Sequence, residues 1–123
     1  MRLVAGILLG AVMWLIAVAA LGFVLGRLWP EMAAVTDMKA LTLSMLAARL
    51  CVSGVSSVIS GFGAALISRE RVKGALGAGI LLLAVFVPYH LTIWTNFPLW
   101  YHLTFFVSLP VLSLLGGALS SRR

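Results

Sequence analysis

Acidic residues are scarce in this chain. Only three Asp or Glu residues occur in 123, and Glu31, Asp37 and Glu70 all fall in polar gaps rather than inside a long apolar run. The simplest intramembrane proton carrier is therefore missing. Charged residues make up 10% of the sequence, and the single cysteine, Cys51, cannot form an intrachain disulfide. Cys51 sits within an apolar run and is read as a small packing residue. Zinc-protease, phosphate-loop and nucleophile-elbow motifs are absent. Serines are plentiful, but a hydroxyl without a neighbouring base is weak ground for nucleophilic catalysis. Little sequence lies outside the apolar runs, which leaves no room for a soluble catalytic domain.

What fills the chain is hydrophobic, at 63% of residues. Four apolar stretches run roughly Leu3 to Leu28, Met38 to Ser68, Gly74 to Trp94 and Pro98 to Ser120. Each is long enough to cross a bilayer, since about 20 helical residues span the hydrocarbon core. The fold class expected is all-α, an integral membrane four-helix bundle forming a single domain over 1–123. Its spans are approximately 3–28, 48–68, 74–94 and 98–120. The first apolar run exceeds the usual 7–15 residues of a secretory h-region, so it is read as an uncleaved helix.

The net charge of +6 does not point to nucleic acid, because the basic residues sit at span ends rather than on one continuous surface. Four crossings put both termini on one side. Arg2, Arg69, Arg71, Lys73, Arg122 and Arg123 fall on that side, against Arg27 and Lys39 opposite. The positive-inside rule then makes both termini cytoplasmic and the location a cell (inner) membrane.

The second span is too long, at about 31 residues, and contains Arg49. Counting about 20 residues back from Ser68 places Arg49 at the outer interface, where it avoids the roughly 2.5–3.5 kcal/mol cost of a mid-bilayer arginine. Residues 36–47 would then form an outer helical extension, with Thr36 or Asp37 as cap. At about 100° per residue, Lys39, Thr42, Arg49, Ser53, Ser56, Ser57, Ser60, Gly63 and Ala64 share one sector, interrupted only by Leu46. Such a stripe is either a packing seam or a polar path or anion site headed by Arg49.

Packing faces are expected at Gly6, Gly10, Met13, Ala17 and Ala20 in span one. In span three they are Gly74, Gly77, Leu81, Ala84, Pro88 and Thr92, and in span four His102, Phe106, Leu109, Ser113, Gly116, Gly117 and Ser120. The opposite face of span three, which includes Phe86, His90 and Trp94, is assigned to lipid. Pro88 is expected to kink that span. Asn96 and Pro98 start the last helix as cap and first-turn residue. Trp29, Tyr89, Trp94, Trp100 and Tyr101 form an outer aromatic belt.

Two tetrapeptides repeat at similar depth, Tyr89–His90–Leu91–Thr92 and Tyr101–His102–Leu103–Thr104. Paired His90 and His102 would suit haem or a metal, but their helical phases set them on different faces. Arg49 with His102 is the favoured polar pair, fit for an anionic headgroup, a quinone carbonyl or a small anion.

The first span, Gly61–Phe62–Gly63–Ala64–Ala65–Leu66–Ile67 and Leu109–Pro110–Val111–Leu112–Ser113–Leu114–Leu115–Gly116–Gly117 resemble, in layout, small uncharacterised four-helix bacterial inner-membrane proteins. Small multidrug-resistance exporters are similar in size, but their first helix carries a functional glutamate that this span lacks. The role expected from the sequence is non-enzymatic: an accessory or interaction subunit, or a self-associating bundle, with membrane lipid and a membrane-protein partner or second copy around it. Two alternatives remain: a small transporter or lipid/anion binder using Arg49, Ser53, Ser56, Ser60 and His102, and a redox protein holding haem or a metal through His90 and His102.

Overall fold

A computed structural model describes residues 1–35 and 41–120. Every regular element in them is helical. The order is α1 (Arg2–Leu28), a single turn α2 (Pro30–Ala33), α3 (Leu43–Ser68), α4 (Arg71–Thr92), a 3-10 turn (Trp94–Asn96) and α5 (Leu99–Ser120). The four long helices are each long and apolar enough to cross a membrane. Apolar side chains and internally satisfied backbone are what such a solvent demands.

Local chemistry sets the helix ends. The Thr42 hydroxyl accepts from the Met45 amide at 3.3 Å and caps α3. The expected caps Thr36 and Asp37 lie outside the described residues. Arg69 ends α3 in the left-handed region, φ 66°, and this reverses the chain into α4 within two residues. Pro98 immediately precedes α5, while Asn96 closes the 3-10 turn.

α3 is the central element and packs against α1, α4 and α5. The end carrying Arg2, Ser68 and Gly74 is called the terminal end here, and the end carrying α2 and the α4–α5 turn the distal end. At the terminal end the helices approach backbone to backbone. A Cβ on Gly6 would lie 2.7 Å from the Ala64 carbonyl, and one on Gly10 would lie 2.9 Å from the Ser60 carbonyl. On the other side of α3, Gly61 abuts the Ser113 carbonyl and Gly116 abuts the Val58 carbonyl. The remaining seam glycines meet side chains: Gly63 the sulfur of Met13, Gly74 the Ser68 hydroxyl, Gly77 the tip of Ile7 and Gly117 the Ala75 methyl.

The expected inner face of α4 needs correction. Ala84, Pro88 and Thr92 are exposed; Gly74, Ala75, Ala78, Gly79, Leu82 and His90 are buried. Gly79 carries the tight contact, since its Cβ would fall 2.7 Å from the Pro110 Cα. Small residues line only the narrow half of this face. Toward the distal end Leu82, Phe86 and His90 take over, because the helices separate and larger side chains fill the gap. Cys51, read as a packing residue, is exposed.

Candidate functional site

At the distal end α1 leaves its neighbours. Among the described residues, a side chain on Gly22 would meet nothing within 4 Å, and one on Gly26 would meet only Ala33 of α2. The separation leaves a cavity of about 530 Å³ bounded by α1, α2, α3, α4 and the start of α5. That volume lies in the range of small-molecule sites, which are mostly apolar with a few placed polar groups.

The floor is aromatic. Trp14 lies 4.8 Å from Phe86 and 6.3 Å from Phe105, ring centre to ring centre, and Phe86 lies 5.6 Å from Phe105. The Trp14 indole N–H donates to the Ser57 hydroxyl at 3.1 Å. This bond closes the cavity toward the terminal half.

Polar groups enter the wall from three elements. Arg49 Nε donates to the Tyr101 hydroxyl oxygen at 3.2 Å, and the guanidinium carbon lies 5.8 Å from the Phe97 ring centre. Among the described residues, no carboxylate pairs with Arg49. Ser53 also lines the wall; it is 5% exposed and its buried hydroxyl has no hydrogen-bond partner among the described residues. His90, 4% exposed, completes the set, stacked on Phe105 at 4.5 Å.

His90 and His102 meet Nδ1 to Nδ1 at 2.6 Å. The sequence phases had separated them. They come together because the inward face of α4 runs through Ala78, Leu82 and His90, while Ala84, Pro88 and Thr92 are exposed. His102 is fully buried, stacked on Trp94 at 4.3 Å, with Nε2 3.0 Å from the Trp94 carbonyl oxygen. A tetrahedral ion held at about 2.0–2.1 Å by both Nδ1 atoms would keep them about 3.3 Å apart. The observed contact is a hydrogen bond. Among the described residues, no group of three or more His, Cys, Asp or Glu side chains is placed to hold a metal.

Two further expectations change. Arg49 meets Tyr101 rather than His102, and His102 stands behind His90, off the cavity wall. Tyr101, assigned to the belt, is 4% exposed and packs with Leu46 and Phe97. The serine stripe does face inward, but it divides. Only Ser53 reaches the cavity. Ser56 and Ser57 donate back to the Val52 and Ser53 carbonyls, while Ser60 is fully buried against the Gly10 face of α1 and its hydroxyl lacks a partner among the described residues.

The sequence reading missed Trp14, Phe86 and the inward turn of Tyr101. Trp14 had a usable signal. It falls in the middle of an apolar run long enough to cross a bilayer, where a buried N–H needs an acceptor inside the protein. Comparison with family models, with curated proteins and with solved structures finds no match to this chain.

Proposed function

We propose that this protein is a multi-pass membrane protein that binds an anionic amphiphile in the distal cavity, with the head group against Arg49 and the tail along the gap beside α1. The observation that carries the reading is the unpartnered Ser53 hydroxyl beside Arg49 on the wall of a largely aromatic and aliphatic cavity. A buried hydroxyl without a partner costs stability unless something fills the role. With Nε bound to Tyr101, the terminal guanidinium nitrogens remain available for a charged oxygen. The rim includes Leu15 and Tyr89, both exposed, so an acyl tail can pass from cavity to surrounding lipid.

The bilayer would be a cell inner membrane, with both termini cytoplasmic and the distal end outside. The support is the concentration of Arg2, Arg69, Arg71 and Lys73 at the terminal end. The accessory-subunit and self-association readings drew on small-residue faces. Gly6, Gly10, Gly63, Gly74, Gly77, Gly116 and Gly117 all have partners within the one chain, so these faces give no separate reason to invoke a second protein.

The test is purification in mild detergent followed by mass spectrometry of bound lipid, for the parent protein and for Arg49→Gln. An anionic lipid retained by the parent and lost from a folded variant supports the reading. Equal lipid content in both overturns it.

A further inference from the structure

The two histidines constrain the ligand further. The carbonyl oxygen of Trp94 can only accept, so His102 Nε2, 3.0 Å away, carries the proton and donates. With a single proton on each ring, His102 Nδ1 is bare. That atom accepts across the 2.6 Å contact, which makes His90 Nδ1 the donor. His90 consequently keeps a lone pair, and no proton, on Nε2. His90 lines the cavity and His102 does not, so Nε2 is the ring nitrogen of His90 left for a ligand there. One backbone carbonyl, relayed through two rings, fixes the polarity of the site. Tyr101 complements it: its oxygen accepts from Arg49, leaving the O–H to donate.

We propose that the head group must carry a hydroxyl as well as an anionic oxygen, the hydroxyl donating to His90 Nε2 and the anion accepting from Arg49 and Tyr101. This rests on the amphiphile reading above. The class it selects is an anionic phospholipid with a free head-group hydroxyl, as in phosphatidylglycerol. The charge and planar fork of Arg49 match a phosphate, and a phosphodiester without a hydroxyl would leave the His90 acceptor unpaired. His102 acts as a positioning residue through His90.

The full chain in mild detergent is titrated with three lipids, bound lipid being read by native mass spectrometry. Phosphatidylglycerol has anion and hydroxyl, phosphatidylmethanol has the same anion without the hydroxyl, and phosphatidylcholine has no net charge. One buried hydrogen bond predicts a preference of about tenfold for phosphatidylglycerol over phosphatidylmethanol, with phosphatidylcholine weakest. Equal binding of the two anionic lipids, both above phosphatidylcholine, overturns the hydroxyl requirement and leaves the anion reading standing. Equal binding of all three overturns both.

His102→Phe removes the acceptor that holds the His90 proton on Nδ1. The hydroxyl preference should fall toward one, while the preference for phosphatidylmethanol over phosphatidylcholine persists. A structural role alone would lower both together, and an unchanged hydroxyl preference overturns the proposal. His90→Phe keeps a ring against Phe105 and serves as the second variant, with the same expected loss. Displacement of the lipid by glycerol phosphate at the lipid's own concentration would make the occupant a soluble phosphate and overturn the lipid assignment.

Discussion

Trp14 of α1 and Ser57 of α3, 43 positions apart, share a buried hydrogen bond of 3.1 Å. The bond marks a change of character along the four helices. Below it, glycines and serines bring backbones together; above it, aromatic rings line a cavity. Trp14→Phe keeps most of the apolar contact with Phe86 and Phe105 and deletes only the donor. It should cost about 0.6–1.5 kcal/mol, the worth of one hydrogen bond between membrane helices. Trp14→Ala removes the floor as well and should cost about 3–5 kcal/mol. Denaturation in mixed micelles, followed by circular dichroism, gives both values. Equal losses for the two variants would show that the ring's bulk contributes nothing.

The crossing of α3 with α5 makes a sharper prediction. At Gly61 an added methyl group would run into the Ser113 backbone carbonyl, which belongs to another helix and has no flexible end to yield. Gly61→Ala should destabilise by about 1–3 kcal/mol or more. Gly22→Ala, where no described residue lies within 4 Å, is the matched control and should leave the melting temperature unchanged or slightly raised. A Gly61→Ala protein as stable as its parent would show that these helices do not cross there.

Much of this architecture was legible in the residues. Four apolar runs gave four helices because length and hydropathy alone decide what can span lipid. The inward face of α3 was also readable, since Ser53, Ser56, Ser57, Ser60, Gly63 and Ala64 all turn inward. The face of α4 was not. Assigning small residues to contacts works where helices touch, as at Gly74 and Gly77, and fails where they diverge and aromatic side chains bridge the gap, as at Phe86 and His90. Divergence is a property of the packed helices, and no local period in α4 encodes it. His102 was correctly turned inward, but its partner was missed for the same reason.

Arg49 gives a prediction that separates charge from bulk. Arg49→Lys retains the cation but loses the planar fork and the geometry that joins Nε to Tyr101. Arg49→Gln loses the charge. Bound anionic lipid should decrease in the order parent, Arg49→Lys, Arg49→Gln. Tyr101→Phe should fall between parent and Arg49→Gln, because it removes one hydroxyl while the stacking on Phe97 at 4.6 Å persists. Lipid retention by native mass spectrometry reads all four proteins. Arg49→Gln retaining more anionic lipid than Arg49→Lys would reverse the assigned role of charge.

Gly22 permits the cavity to be closed without touching any polar group. It lines the cavity and its absent side chain would point into open space. Gly22→Leu adds about four carbons there, with no backbone carbonyl or neighbouring side chain within reach of the first. The helix packing below Trp14, held by Gly6 and Gly10 against α3, is remote from the change, so thermal stability should be preserved or improved through the better helix propensity of leucine, worth up to about 1 kcal/mol. Lipid binding should nevertheless drop at least severalfold, since the tail and the new side chain compete for one volume. The comparison with Arg49→Gln is then informative. Gly22→Leu should weaken phosphatidylglycerol, phosphatidylmethanol and phosphatidylcholine alike, because it acts by bulk, whereas Arg49→Gln should weaken only the anionic pair. If Gly22→Leu left all three unchanged in a folded protein, the amphiphile would have to sit elsewhere than between α1 and Arg49.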